Sequence, residues 1–333
     1  MLILSKEIQK NVNYTYTNIK TIKGNNLLIL GEQHTFSKSE LDILKKEFTK
    51  LDFIKYNELD PDIVIQKINT YTKEETKSLI VLNTKASVPN ELLNYLTKLK
   101  QKKTNYISIQ NFMEKYLQKC YIPNKSSNIT FLEEVKPFNK IELLLKFFID
   151  YTISINLLII TSPVILYSIY KIKKESPGPV FFKQKRIGLN GKEFKCIKFR
   201  SMIVDAEKDG AQFATKSDSR IYPWGKFMRK TRIDELPQLF NVLRGDMHLI
   251  GPRPERKIWI DGFEKEIPYY NQRHIVKPGL TGWAQVLYPY GENSYDAKQK
   301  LMYDLYYIKH WNLWLEIKTI WKTVLVILYR KGI

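Results

Sequence analysis

RKTRIDELPQLFNVLRGDMHLIGPRPE, residues 229–255, crowds two adjacent carboxylates, Asp234 and Glu235, four arginines and a Pro-Arg-Pro turn into one segment, with Arg256 directly after it. Leu236, Leu239, Phe240 and Leu243 recur at i, i+3, i+4 and i+7, the apolar stripe of a helix, and Gly245 stands where a left-handed stop is expected. The helix is therefore expected to begin near Asp234, with this residue as N-cap and Pro237 in the first turn, where a missing N–H costs nothing. A carboxylate at that position faces the positive end of the helix dipole and free backbone donors, so it should stay ionised where phosphate is also attracted. An ionised carboxylate beside bound phosphate is a nucleophile; one that merely caps a helix is the plain alternative. The company of Glu235 and of Arg229, Arg232, Arg244, Arg253 and Arg256 favours the nucleophile.

Outward from this segment, Gly251-Pro252-Arg253-Pro254 fixes φ at two positions and holds one guanidinium between them, as a rigid phosphate or nucleotide contact requires. A structural turn with an incidental arginine is the alternative. Residues 221–230, IYPWGKFMRK, look helical and would deliver Arg229 and Arg232 toward the carboxylate pair.

The 333 residues suit about two domains, and 44% hydrophobic with 26% charged residues is ordinary globular composition. Cys120 and Cys196 stand far apart and in no CxxC, so neither a disulfide framework nor a zinc site is indicated. His34, His248, His274 and His310 are scattered, as surface or core residues would be. The net charge of +20 calls for an anionic partner, and it is uneven: +6 over residues 1–138 and +14 over 139–333. All ten arginines also lie in the second part, from Arg186 onward. In a chain whose default base is lysine, an arginine marks a place where a planar, multi-donor cation matters, as in binding phosphate.

The N-terminus, MLILSKEIQKNVNY, turns polar after four apolar residues, so no cleavable signal peptide is expected and the N-terminus should stay cytosolic. Residues 26–31, 78–82 and 106–109 are apolar runs of strand length, with helical patterns at 38–51 and 90–100 between them. This alternation predicts a small parallel α/β domain over residues 1–123. LILGEQHT carries no GxGxxG, and no GxxxxGK[ST] occurs, which argues against a dinucleotide or nucleoside triphosphate site there. The polar, proline-flanked residues 124–139 read as a linker, and the remaining 140–333 as a second domain.

That domain opens on a run, residues 151–170, without a charged side chain and long enough to cross a bilayer as a helix. Ser162-Pro163 falls near its middle, where proline frees backbone carbonyls and bends a helix. Lys140 and Lys146 precede the run and Lys171, Lys173 and Lys174 follow it, so the positive-inside rule places both flanks in the cytosol. A helix over about 141–172 that enters, breaks at Pro163 and returns satisfies both flanks; a single span and a buried core helix are the alternatives. Beyond it, Lys183, Lys185, Arg186, Lys195, Lys198 and Arg200 alternate with apolar residues, a cationic face suited to anionic lipid or to solvent. Residues 205–218 read as a mobile loop. Residues 301–310 and 311–329 read as helices, whose Trp311, Trp314, Trp321 and Tyr329 suit a headgroup layer or a core.

DELPQLFNVLRGDM followed by GPRP and VKPGLTGWAQV resembles the bacterial sugar transferases, monotopic polyprenyl-phosphate phosphoglycosyltransferases that start exopolysaccharide and O-antigen assembly. The likeness covers roughly residue 140 to the C-terminus. It implies a helix-rich α+β catalytic domain, monotopic through a re-entrant helix broken at Ser162-Pro163, behind an α/β domain that resembles a degenerate nucleotide-binding fold. It further implies transfer of a sugar 1-phosphate from a UDP-sugar to polyprenyl phosphate on the cytoplasmic face of the inner membrane. Asp234 would be the nucleophile, through an aspartyl-phosphosugar, and Glu235 the Mg²⁺ ligand. Lys198 and Arg200 of KFRSM would lie by the active site. With Arg229, Arg232, Pro252, Arg253 and Pro254 they are the expected substrate-binding residues. Residues 277–283, KPGLTGW, suit the donor-pocket wall. Asp304 and Glu316 match acidic positions of the family pattern, although Glu316 stands where aspartate is expected, which leaves its role open. Residues 288–291, YPYG, resemble hexose 1-phosphate members. A homodimer and downstream glycosyltransferases are the protein partners to consider. Two other readings account for the charge: a nucleic-acid-binding protein, which the carboxylate pair and the apolar run disfavour, and a membrane-anchored scaffold, in which Asp234 would be dispensable.

Overall fold

The computed structural model describes residues 25–31, 34–56, 59–73, 77–83, 88–101, 105–123, 131–206, 218–288, 291 and 293–329. The expectations for the N-terminal segment, for the first half of the linker, for most of 205–218 and for the centre of YPYG lie outside the described residues. The chain divides into two compact units, residues 1–121 and 122–333.

In the first unit four parallel strands stand in the order β2-β1-β3-β4, with β1 at Asn25–Gly31, β2 at Lys50–Ile54, β3 at Lys77–Asn83 and β4 at Asn105–Ser108. Strand β1 is central, so Leu27, Leu28, Ile29 and Leu30 are all buried, the continuous apolar run of a strand covered on both faces. Three of the strands follow the predicted runs. The fourth corrects the expected helix over 38–51: helix α1, Lys38–Leu44, is capped by Ser37 and Glu40 in a reciprocal box and stops early. Thr49 then bonds the carbonyl of Asn25 and starts β2 beside β1. Helices α2, Pro61–Lys73, and α3, Asn90–Gln101, pack Val64, Ile68, Leu92, Leu96 and Leu99 on the sheet.

The second unit is organised along helix α4, Lys140–Glu175, 36 residues that begin at an Asn139–Glu142 capping box. The second half of the expected linker belongs to this unit: Phe131–Glu134 is a helical turn, and Val135 and Phe138 are buried. Helix α4 is long and apolar enough to cross a membrane, with 17% of its most apolar window buried, which sets aside a core helix. Its backbone stays helical through Pro163. Proline leaves the Ile159 carbonyl without its amide partner, and the Ser162 hydroxyl donates to that carbonyl at 2.8 Å. One stripe, Lys146, Asp150, Ser154, Ser168 and Ile172, is buried, while Ile155, Ile159, Ile160, Val164 and Leu166 are exposed. Lys146 departs from the expected water-facing flank, since its side chain is fully buried.

Strands β5, Phe181–Ile187, and β6, Glu193–Phe199, form an antiparallel hairpin. Helix α5, Pro223–Thr231, packs Met228 and Tyr222 against Ile172 and Phe199. Helix α6, Gln238–Leu243, ends as predicted at Gly245, φ +78°, in a double turn of Gly245 N–H to Val242 O and Asp246 N–H to Asn241 O. Its predicted stripe is displaced, for Phe240 is 47% exposed and the buried face is Gln238, Leu239, Asn241 and Val242. Asn241 explains the shift: it bonds Ile197 N, Lys195 O and the Asp246 carboxylate and ties α6 to β6 through a polar side chain, which an apolar pattern cannot reveal. Strands β7, His248–Ile250, and β8, Gly279–Thr281, pair in parallel. Helices α7, Lys257–Glu266, α8, Trp283–Leu287, α9, Ser294–Lys309, and α10, Leu313–Leu328, complete the unit.

Candidate active site

The β5–β6 hairpin forms one wall of a cleft of about 910 Å³. Strand alternation sorts its cations: Lys183, Lys185 and Lys195 are exposed, whereas Gln184, Arg186 and Lys198 face the cleft. Three of the six bases expected on one surface, Arg186, Lys198 and Arg200, thus line the cleft. Eight of the nine arginines among the described residues do so.

At the floor lie Asp234 and Glu235, and the geometry corrects the N-cap expectation. The two occupy a single 3-10 turn, Ile233–Glu235, Pro237 stands at the N-cap of α6, and no side chain caps that helix. Asp234 Oδ1 is buried without a hydrogen-bond partner. Burial, with the neighbouring Glu235 charge, pushes the Asp234 carboxyl up to about 6, against the pull of Lys198, Arg232 and Arg229. It is therefore ionised at neutral pH, through the cations and not through a helix start.

Glu235 plays the opposite part. Its Oε1 accepts from Lys198 Nζ at 3.0 Å and Arg253 Nη2 at 3.0 Å, and Arg232 Nη1 lies 3.8 Å away. Burial works against the charge, but these cations hold the carboxyl well below the usual range. Arg232 adopts φ +60°, a left-handed conformation rare for a side chain of this size, where α5 hands over to the 3-10 turn. Arg229, from the last turn of α5, also lines the cleft. The sequence brought Lys198, Arg229, Arg232 and Arg253 to one place. Arg200 is corrected: its guanidinium donates to Pro179 O at 2.7 Å, to Pro177 O and Ser176 Oγ at 3.0 Å and to Ser176 O, so it holds the turn after α4 and is not free to bind substrate.

Two motifs, GPRP and KPGLTGW, pack back to back through glycines. Gly279 N–H donates to Pro252 O at 2.8 Å, and Gly251 N–H to Thr281 O at 2.9 Å. A Cβ on Gly279 would meet Gly251 N at 2.0 Å and one on Gly282 would meet Gly251 O at 2.2 Å. Gly279→Ala is expected to cost about 3 kcal/mol of stability or more, read as a lowered urea midpoint, because backbone rather than a flexible side chain must yield. Trp283 does not line the cleft as expected; it is buried, with the Lys318 ammonium 5.2 Å from its ring, and its neighbours Ala284 and Gln285 form the wall.

The far wall adds Arg273, Lys300 and Gln285, which the sequence left unassigned, to Asp304, an acidic position that the family resemblance had marked. Arg273 donates to the Arg253 carbonyl at 2.9 Å and pairs with buried Asp304 at 2.8 Å. Burial raises the Asp304 carboxyl to about 6, with Arg273 opposing. Lys300 and Gln285 complete this wall. The scarcity of arginine was the signal that could have found Arg273 and Arg220, and Arg256, expected near the carboxylate pair, also lines the cleft. Glu316 takes no part in the cleft: it is fully buried, bonded to Lys146, Tyr307 and Trp311. Among the described residues no group of three or more His, Cys, Asp or Glu could hold a metal alone. Mg²⁺ needs only one or two carboxylates with water and phosphate oxygens, and Glu235 beside the unpartnered Asp234 oxygen fits that set.

A carboxylate pair ringed by guanidinium groups, in a unit carrying one long apolar helix, makes a cleft suited to a strongly anionic ligand. The chain belongs to the bacterial sugar transferase family, whose model matches residues 141–330. It is 52% identical, over 50% of its length and 40% of the relative's, to the UDP-N-acetylgalactosamine-undecaprenyl-phosphate N-acetylgalactosaminephosphotransferase of Aeromonas hydrophila. With the UDP-glucose:undecaprenyl-phosphate glucose-1-phosphate transferase of Xanthomonas campestris it shares 48% identity, over 51% of this chain and 36% of that one. An uncharacterized sugar transferase of Bacillus subtilis, EpsL, is 40% identical over 57% of this chain and 91% of its own. The chain thus spans about two fifths of the length of the first two relatives.

Proposed function

We propose that this protein transfers a sugar 1-phosphate from a UDP-sugar to a polyprenyl phosphate, releasing UMP, at the cytoplasmic face of the inner membrane. The observation that carries the reading is the cleft floor: an unpartnered Asp234 carboxylate beside Glu235, whose charge is matched by Lys198, Arg253 and Arg232. Joining two phosphate-bearing substrates requires their repulsion to be neutralised, and the arginines of the cleft, Arg200 apart, supply that. The names of the relatives support the donor and acceptor classes. Carboxylates at the floor disfavour a polynucleotide backbone in the same place.

In this reading Asp234 attacks the sugar-bearing phosphorus, forming an Asp–O–P bond as the bond to UMP breaks. The acceptor's phosphate oxygen then attacks that phosphorus and frees the carboxylate. Arg253, Arg232 and Lys198 hold the non-bridging oxygens, and Glu235 keeps these three cations in place between turnovers. Glu235 and Asp234 would hold Mg²⁺, which when bound neutralises diphosphate charge.

Helix α4 is read as re-entrant. Its N-terminal half reaches Leu243, Leu249 and Ile250, and its C-terminal half packs on α5 and bonds Trp224 N from Glu175. A straight helix of 36 residues would extend about 54 Å, further than a unit of this size. Both halves holding one catalytic unit, with the apolar residues around Pro163 exposed, supports a helix that enters the bilayer and returns. The N-terminal unit is read as a structural module resembling a nucleotide-binding fold without its phosphate loop.

The full chain in lipid nanodiscs with polyprenyl phosphate, Mg²⁺ and a panel of UDP-sugars should release UMP and form a sugar diphospholipid with at least one donor. Absence of UMP with every donor would overturn the reading.

A further inference from the structure

Lys146 is a fully buried lysine in an otherwise lipid-suited helix, and nothing in the proposed chemistry uses it. Its ammonium has three partners and three protons: Glu316 Oε1 at 2.8 Å, Tyr307 OH at 2.9 Å and Ile250 O at 3.0 Å. The Tyr307 hydroxyl has a single proton and lies 2.5 Å from Glu316 Oε2, so the Ile250 carbonyl, 3.2 Å from that hydroxyl, takes its hydrogen bond from Lys146. Ile250 is the last residue of β7, and the chain runs from it directly into Gly251-Pro252-Arg253-Pro254.

This turn has few handles. Pro252 and Pro254 have no N–H, so it hangs chiefly by its carbonyls: Pro252 O on Gly279 N–H at 2.8 Å, Arg253 O on Arg273 at 2.9 Å, Pro254 O on Arg186 at 3.3 Å, and Ile250 O on Lys146. Of these four carbonyl contacts the one to Lys146 comes from the membrane helix, whose Asp150 also holds β7 one residue earlier by accepting from Leu249 N–H at 2.9 Å. A buried ion pair is a poor device for stability, since apolar residues of similar volume commonly serve as well. Its geometry here is that of a register pin between α4 and the strand that presents Arg253.

We infer that Lys146 is a positioning residue for donor binding: through Ile250 it sets the Pro-Arg-Pro turn, and with it the Arg253 guanidinium at Glu235, so that the membrane helix itself holds the phosphate clamp in place. This rests on the reading that the cleft binds a nucleoside diphosphosugar.

The test uses the full chain in nanodiscs and the variant Lys146→Met/Glu316→Gln, which removes the pin without leaving a lone buried charge. With the best donor of the panel, kcat/KM for the UDP-sugar should fall on the order of a hundredfold, the penalty of an ångström-scale misplacement, while KM for polyprenyl phosphate stays within about twofold. A residue acting through Arg253 should add little where Arg253 is absent. In an Arg253→Ala background the same pair of changes should cost less than about threefold. Donor kcat/KM within about threefold of wild type, or the full loss recurring on top of Arg253→Ala, overturns the inference. Lys146→Gln/Glu316→Gln, which keeps a neutral donor for the Ile250 carbonyl and leaves no lone buried charge, should recover a good part of the loss, and Lys146→Leu/Glu316→Met replaces the first variant if that one does not fold. Binding of UDP, measured calorimetrically without turnover, should weaken in the variant in parallel. Failure of the wild type to release UMP from any donor would refute the functional reading, and the positioning claim is then decided by the UDP binding alone.

Discussion

Asp234→Asn should lose both sugar-phosphate transfer and UMP release, by at least about ten thousandfold, the scale seen when a covalent nucleophile is removed. The substitution is nearly isosteric, and because Asp234 Oδ1 has no hydrogen-bond partner, no internal contact to that oxygen is lost with it. The loss should come with a gain in stability. Asp234 has a carboxyl raised from 3.8 to about 6 by burial and by Glu235, so the fold favours its protonated form. That preference is fully present below pH 4 and lost as pH rises through 6. Asparagine mimics the protonated acid at every pH. The variant should therefore melt higher than wild type at pH 7.5, by about 2–4 °C for each kcal/mol, with the difference vanishing toward pH 4. A dead enzyme that is also less stable at pH 7.5 would point to a structural role instead.

Glu235→Gln should lower kcat/KM by about a hundredfold to a thousandfold, since Lys198, Arg253 and Arg232 lose the charge that keeps them together. Its pH profile carries the more specific outcome. In the wild type the acid limb of activity should lie near pH 6, where Asp234 takes up its proton. Burial would still raise Asp234 in the variant, but the like charge of Glu235 would be gone and the freed cations nearer, so the limb should move to lower pH. A limb that stays at pH 6 or rises would separate it from Asp234. Glu235 itself, held below its ordinary 4.5, contributes stability above that value and loses it as pH falls further.

Much of this was legible in residue order because the site is local. Asp234, Glu235, Arg229, Arg232 and Arg253 fall within one short segment, and the turn chemistry of Gly245 and Pro-Arg-Pro is written in residues with few other uses. Apolar runs found three strands of the first unit, most plainly β1, which is buried on both faces between β2 and β3. The misses share a cause, which is that polar side chains act through distant partners. Asn241 is buried by bonds to β6, 44 and 46 residues away in sequence, so α6 turns a face that its leucines do not announce. Arg200 looked like a phosphate ligand until Ser176, Pro177 and Pro179 presented their carbonyls to it. Lys146 looked like a flank because its counter-charge, Glu316, stands 170 residues on.

In the proposed reaction a carboxylate of this chain carries the sugar phosphate between donor and acceptor. Purified protein given UDP-sugar and Mg²⁺ but no polyprenyl phosphate, quenched and digested, should yield at most one equivalent of UMP and a peptide carrying one sugar phosphate on Asp234 by mass spectrometry. UMP release that requires the acceptor, with no modified peptide at any time, would contradict it.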